Sequence, residues 1–279
     1  MAASNYLAQK RYFGGKDNKE LSDTHPTYVS PDGLTFAIWG LIYLFELVLT
    51  IAQLVGWSPD AKISCDTIFI RQCPFTGLDV RQRLVLAFMA NAVWLPVFNN
   101  EKFFSALAIM AVYFGLLISI TLDLNAATAY FPFARAVFGT GISMNASWIL
   151  VALCVSIFFC GGEIGWKDAQ GVAGSVVAAT IVCISVCIVG CLRALLECEI
   201  AWAFVAAWAL RGIYRMQTIE NAERFPPTAL NGGLAFCALW SSRIVVISIV
   251  LGIVIAVVNM SHSPVNLVGS RTPLLSSHS

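Results

Sequence analysis

The sequence predicts an all-α membrane protein, a polytopic bundle of about seven transmembrane helices. Of its 279 residues, 58% are hydrophobic and only 12% are charged, whereas a soluble domain has about 25% charged residues. The mean hydropathy is +0.76, and the apolar residues fall into runs close to the ~20 residues that cross a bilayer as one helix. We therefore expect an integral, multi-pass membrane protein.

Seven apolar runs, separated by polar links, predict the helices in order. They cover residues 34–57, 80–98, 103–122, 136–159, 172–192, 200–214 and 243–259. The fourth is predicted to end before Gly161-Gly162, and Arg243 is predicted to break the last run, which leaves 234–242 near the interface. The sixth helix is short, so a bundle of six is the alternative if that helix is only re-entrant.

By composition the chain divides into four parts. They are a polar N-terminal segment at 1–33, the first four helices at 34–160, additional transmembrane helices at 161–260 and a polar tail at 261–279. Cys65 and Cys73 lie in the link between the first two helices, and they can pair if this link faces an oxidising compartment.

The charge pattern narrows the function classes. The formal net charge is +1 and no dense basic run exists, so we expect membrane lipids and no nucleic acid as partners. The sequence shows no nucleophile–base pair, phosphate-binding loop or cluster of metal ligands. We therefore expect no catalytic residues, no metal site, no cofactor and no enzymatic activity.

The first helix carries nearly all of its polar and aromatic groups on one stripe, because these residues follow each other at steps of three or four. The stripe consists of Phe36, Trp39, Tyr43, Glu46, Thr50 and Gln53. The opposite face, with Leu44 and Val48, is aliphatic and suits lipid. A carboxylate at mid-helix costs at least ~2.5 kcal/mol in a bilayer unless it faces the interior. The stripe is therefore predicted to face other helices or a ligand.

The second and fourth helices each place an asparagine one turn before a tryptophan. An asparagine in lipid must form hydrogen bonds across helices, and helix–helix bonding alone is one interpretation. Three helices that each present an indole beside a polar group predict instead one aromatic cavity with a few polar anchors, as in small-molecule sites. The predicted ligand-binding residues are Phe36, Trp39, Tyr43, Glu46, Asn91, Trp94, Phe98, Asn145 and Trp148.

Other tryptophans and arginines lie near predicted helix ends. Arg81 and Arg83 open the second helix and are predicted to extend to the interface. Arg211 and Arg215, one turn apart, are predicted to end the sixth helix, with lipid phosphate as the alternative partner. The remaining tryptophans of this kind, typical of an interfacial belt, are Trp57, Trp166 and Trp240.

Three segments resemble one known family. Residues 30–43 look like its proline-containing start of a helix, Asn91-x-x-Trp94-x-Pro96-x-Phe98 is the most specific match, and Trp148-x-x-x-Ala152 is similar to the core of its last helix. This is the tryptophan-rich sensory protein family, which includes TspO and the mitochondrial translocator protein (peripheral benzodiazepine receptor). The long, many-helix branch of the family also matches residues 208–214.

The resemblance implies a TspO-like four-helix core at 34–160. It implies an α-helical receptor or carrier, often a homodimer, that binds a hydrophobic small molecule such as a porphyrin or a sterol. Two alternatives stay open from the residues. One is a proton-coupled small-molecule transporter in which Glu46 is the coupling site, and the other is a structural subunit of a membrane complex in which the tryptophan faces contact protein.

Overall fold

The computed structural model describes residues 7, 10–12, 15–16, 20–21, 24–218 and 229–262. The predicted tail at 261–279 lies outside the described residues apart from 261 and 262, and so does much of the predicted N-terminal segment at 1–33. Eight α-helices form in the described part. They are α1 (Ile38–Leu54), α2 (Cys65–Phe69), α3 (Val80–Asn99), α4 (Phe103–Ala127), α5 (Pro132–Glu163), α6 (Val176–Leu196), α7 (Ile200–Met216) and α8 (Gly232–His262). The prediction of an all-α membrane protein is confirmed.

Five described helices are long and apolar enough to cross a membrane. They are Gly33–Leu54, where a 3₁₀ turn (Gly33–Ala37) leads into α1, Phe103–Ala127, Pro132–Glu163, Val176–Leu196 and Gly232–Val258. Helix α3 is more polar and α7 has only 17 residues, so these two predicted spans are not both long and apolar enough to count among the five. The protein is an integral membrane protein, and its seven crossings stay a prediction.

Helix α5 is the centre of the bundle. Its most apolar stretch is 67% buried, against 28–33% for the other four candidate spans, because α5 packs against α4, α1 and α7. Helix α3 packs on α4, and α6, α7 and α8 pack on one another. Helices α1 and α3, by contrast, do not pack closely against each other along their described lengths. A gap between α1 and α3 results.

The buried face of α1 is offset from the predicted stripe. Ile42, Glu46 and Leu49 are buried, whereas Phe36 is 40% exposed and Thr50 is exposed. The stripe therefore lies at one edge of the buried face, because α1 packs on α5 alone among the long helices. The predicted outward face is confirmed, since its aliphatic side chains are at least 40% exposed; they are Leu41, Leu44, Val48 and Ile51.

Helix α5 ends later than the sequence predicted. The prediction placed its end before Gly161, whereas the helix runs to Glu163. The helix continues through Gly161 and Gly162 because the following loop folds back onto it. A Cβ at Gly161 would lie 2.4 Å from the ring of Trp166, and one at Gly162 would lie 3.0 Å from the Cβ of Ala173. These glycines therefore allow close packing, and α6 begins four residues later than the predicted 172.

The last helix corrects a second prediction. Helix α8 runs without a break past Arg243, which the sequence placed at the boundary of the membrane span. The Arg243 side chain is exposed, and its guanidinium carbon lies 5.0 Å from the ring centre of Trp240, one turn earlier. A single arginine on an outer face does not interrupt the helix, because the backbone hydrogen bonds do not depend on it.

The link between α1 and α3 contains the short helix α2, which the sequence did not predict. Ser64 caps it, since its hydroxyl accepts a hydrogen bond from the backbone N–H of Thr67. Cys65 and Cys73, both in this link, are free thiols in the structure. Within the described residues the link is thus ordered by capping and packing, without a disulfide.

Arg83 lies in the first turn of α3, and it does not extend to the interface as predicted. Its side chain is 1% exposed and donates to the carboxylate of Asp123 at 2.5 Å and to the hydroxyl of Ser119 at 3.0 Å, both on α4. Its neighbour Arg81 is 42% exposed and pairs with Asp66. Arg83 points inward because the polar end of α4 packs beside it.

Candidate functional site

A cavity lies between α1, α3, α4 and α5. It contains about 740 Å³ of space not occupied by atoms, part of it open to the surroundings. The lining is mostly apolar and consists of Ser30, Pro31, Phe36, Trp39, Trp94, Phe98, Met110, Trp148, Ile149, Val151, Ala152, Val155, Ser156 and Phe159.

Aromatic rings form the walls of the cavity and hold one another in place. Phe36 and Trp39 meet Trp148 edge to face, with ring centres 5.4 and 6.2 Å apart. Trp94 stacks on Phe98 with ring centres 5.0 Å apart. Such pairs contribute about 0.5–1.5 kcal/mol each beyond the area they bury. Ring contacts therefore hold the indoles of α1 and α5 against each other, and the indole of α3 against a ring of its own helix.

The predicted polar anchors do not line this cavity and form a separate buried cluster. The side-chain N–H₂ of Asn145 donates to Oε1 of Glu46 and to the hydroxyl of Tyr113, both at 2.6 Å. Asn91 lies beside the same hydroxyl, and Tyr43 lies close to Glu46. The nine residues predicted as one site are thus divided between an aromatic cavity and this polar cluster.

The polar cluster lies about one turn, or ~5 Å, from the cavity along three of the helices. The pairs of cluster and cavity residues are Asn91 and Trp94 on α3, Tyr113 and Met110 on α4, and Asn145 and Trp148 on α5. On α1, Tyr43 stacks on Trp39 with ring centres 5.3 Å apart and leads towards Glu46. Since each of these polar residues is near the middle of its helix, the cluster lies at the centre of the bundle.

Several polar atoms of the cluster are buried without a hydrogen-bond partner in the described part of the chain. They are Oε2 of Glu46, Oδ1 of Asn145, and both Oδ1 and Nδ2 of Asn91. None of the ion pairs there includes Glu46, which is 4% exposed. A buried acceptor without a partner costs about 1–3 kcal/mol. These atoms of Glu46, Asn145 and Asn91 can therefore still donate or accept hydrogen bonds.

The cavity faces the gap between α1 and α3. Trp39 on α1 and Trp94 on α3 lie on its two sides, and both are partly exposed. Because these two helices do not pack closely against each other, no helix–helix contact closes the cavity between Trp39 and Trp94.

The segment before α1 closes one end of the cavity, through Ser30 and Pro31. Its outer side packs on the loop between α5 and α6, where the hydroxyl of Tyr28 donates to Asp168. Burial and this hydrogen bond raise the pKa of Tyr28 above its usual value, so the phenol stays a donor. The end of the cavity is therefore attached to the rest of the bundle.

Five of the nine predicted residues line the cavity: Phe36, Trp39, Trp94, Phe98 and Trp148. The sequence missed Tyr113, although a tyrosine among aliphatic residues at mid-helix is the same kind of signal that pointed to Glu46. It also missed Met110 and Phe159, for which no sequence signal exists, since apolar residues at a cavity and at lipid are the same types.

Comparison with known proteins identifies the family. A family model described as TSPO-like protein matches residues 1–260 of the 279. No curated protein and no solved structure matches the chain. The family match extends over α1 to α7 and most of α8, so it includes the four helices around the cavity and the three that pack behind them. This integral membrane protein therefore belongs to the TSPO-like protein family.

Proposed function

We propose that the protein binds a hydrophobic small molecule, of the tetrapyrrole or sterol class, in the aromatic cavity, and acts as its receptor or carrier. One observation supports this proposal: indoles from three helices, Trp39, Trp94 and Trp148, line a single cavity. Aromatic walls favour flat or rigid apolar molecules, because such a ligand gains contact area and loses little conformational freedom.

The lining favours binding over catalysis. Among the described lining residues, Ser30 and Ser156 alone carry hydroxyl groups, and both are already hydrogen-bonded: Ser30 to Thr27 at 2.9 Å and Ser156 to the carbonyl of Ala152 at 2.8 Å. A nucleophile needs a base within reach, and neither hydroxyl has one in these contacts. We therefore propose a binding protein without enzymatic activity.

The ligand class is tested by what the purified protein retains. Mass spectrometry of the protein in detergent is expected to detect a tetrapyrrole or a sterol bound to the wild type. Ala152→Phe adds a ring inside the cavity and should abolish this binding, because Ala152 is part of the lining. Ala111→Phe adds the same ring on an exposed position of α4 and should leave it intact. Retention of phospholipid alone, to the same extent in all three proteins, would contradict the proposal.

A proton-coupled transporter is the second candidate, and the position of Glu46 favours it. Its carboxyl group is buried at the centre of the bundle, one oxygen has no described partner, and Tyr43 lies between it and the cavity indole Trp39. In liposomes that contain the purified protein, uptake of the retained ligand would then follow an imposed proton gradient. Loss of this coupling in Glu46→Gln, with binding unchanged, would support the transporter, and uptake independent of the gradient would exclude it.

A further inference from the structure

The end of the cavity formed by residues 30–36 has little local structure of its own. It consists of an extended stretch and the short 3₁₀ turn Gly33–Ala37, and the side chain of Asp32 accepts no capping hydrogen bond from a backbone N–H of that turn. Short 3₁₀ turns have poor hydrogen-bond geometry, so their position depends on contacts with other elements. Three cavity-lining residues, Ser30, Pro31 and Phe36, depend on how this segment is held.

The segment is held by α7, a helix that does not itself line the cavity. The guanidinium group of Arg215 donates two hydrogen bonds to the carboxylate of Asp32, at 3.0 and 2.8 Å, and a third to the hydroxyl of Thr35 at 3.2 Å. Thr35 in turn donates to Asp32. Asp32 is 8% exposed, and bidentate pairs of this kind are strong and specific in geometry.

Two further contacts come from the same face of α7. The indole N–H of Trp208 donates to the carbonyl of Thr35 at 2.8 Å, and the backbone N–H of Asp32 donates to the carbonyl of Gly212 at 3.2 Å. A Cβ at Gly212 would lie 2.1 Å from the hydroxyl of Thr35, so the segment approaches α7 as closely as a glycine allows. The sequence predicted only that Arg215 ends the sixth helix, and it did not predict the contact of Arg215 with Asp32.

We propose that Arg215 is a positioning residue for the ligand cavity, which it completes by fixing residues 30–36 through Asp32 and Thr35. Helix α7, outside the four helices that surround the cavity, then sets how long a ligand stays bound. This inference rests on the proposed function, because it assigns Arg215 a role in retaining the ligand of that same cavity.

The test compares Arg215→Gln with Arg211→Gln, a matched control one turn away. The side chain of Arg211 is exposed, and its guanidinium carbon lies 4.5 Å from the ring centre of Tyr214. In stopped-flow experiments on the full chain, with protoporphyrin IX as the probe, Arg215→Gln should raise the dissociation rate about tenfold, since charged hydrogen bonds are lost. Arg211→Gln should stay within about twofold, and Arg215→Lys, which keeps the charge but not the bidentate geometry, should lie between the two.

Hydrogen exchange of residues 28–37 without ligand provides a second measurement. Arg215→Gln should accelerate it, and Arg211→Gln should not. An unchanged exchange rate, or faster exchange with an unchanged dissociation rate, would overturn the inference.

If the wild type binds no protoporphyrin or sterol, the proposed function fails on its own, and the exchange rates still decide whether Arg215 fixes the segment. A variant that does not fold would be recognised by its elution volume, and the swapped pair Asp32→Arg/Arg215→Asp would then replace it, with restored exchange expected.

Discussion

Asn145 of α5 donates a hydrogen bond to Glu46 of α1 across 2.6 Å, at the centre of the bundle. The same amide donates to Tyr113 of α4, also across 2.6 Å. One side chain thus joins three helices at a depth where water is scarce and unpaired polar groups are costly. This contact fixes the positions from which the indoles of α1 and α5 extend into the cavity.

Asn145→Ala should lower the free energy of unfolding by about 1–3 kcal/mol, because two hydrogen bonds between helices are lost and the carboxyl group of Glu46 keeps no described partner. Unfolding in detergent, followed by circular dichroism, measures the change. Thr50→Val is the control, since the Thr50 hydroxyl donates to the carbonyl of Glu46 on its own helix and does not join two helices through this bond. Equal stability of Asn145→Ala and the wild type would show that the contact between helices contributes nothing.

Substitutions of Glu46 should separate hydrogen bonding from charge. Glu46→Gln keeps an oxygen that can accept from Asn145 and should fold with nearly wild-type stability. Glu46→Lys places a cation beside the amide N–H₂ of Asn145 and should cost at least ~2.5 kcal/mol, the usual penalty for lysine at the centre of a bilayer helix. The yield of monodisperse protein and the unfolding midpoint are the measurements. A well-folded Glu46→Lys would mean that this position reaches water.

Gly139 and Gly141 of α5, two residues apart and therefore on different faces of the helix, should respond to alanine in opposite ways. Alanine in place of glycine inside a helix normally stabilises it by about 0.5–1 kcal/mol. Gly139→Ala should do so, because the nearest atom to its Cβ would be in Arg135 at 3.8 Å. Gly141→Ala should destabilise the protein, since its Cβ would lie 2.9 Å from the backbone nitrogen of Glu46. Thermal unfolding compares the two, and stabilisation by both would show that α1 and α5 are not closely packed here.

Arg83 should contribute much more to the free energy of unfolding than Arg81, although the sequence predicts the same position at the interface for both. Arg83→Gln should destabilise the protein by about 3 kcal/mol, because Asp123 loses its buried partner. Arg81→Gln should cost at most about 1 kcal/mol, since its pair with Asp66 is exposed. Denaturant unfolding of the two variants measures both. Similar losses would indicate that Asp123 is satisfied by its second partner, Arg71.

The sequence predicts the helices and the aromatic side of the site well. Helical spacing identifies which side chains share a face, and that suffices to bring Trp94 and Phe98 to one cavity with Trp148. It does not determine how far each helix is rotated against its neighbours. For that reason the stripe of α1 is offset by part of a turn, and Asn91 and Asn145 belong to the polar cluster.

Contacts between distant segments could not be predicted from the sequence. Asp32 and Arg215 are 183 residues apart, and Arg83 and Asp123 are 40 residues apart. In each pair, the arginine seen alone resembles a residue that marks a helix end or the interface. The packing of α7 on the segment before α1 shows that Arg215 binds Asp32, and the packing of α3 on α4 shows that Arg83 binds Asp123.

Quenching of indole fluorescence by protoporphyrin IX, titrated into the purified protein, tests the central claim most directly. The wild type should show saturable quenching. Trp39→Ala and Trp94→Ala should each weaken binding about tenfold or more, because each indole contributes contact area and ring stacking to the cavity wall. Trp240→Ala, on an exposed position of α8, should change the affinity little. No saturation in the wild type, or equal losses in all three variants, would contradict a ligand site between α1, α3, α4 and α5.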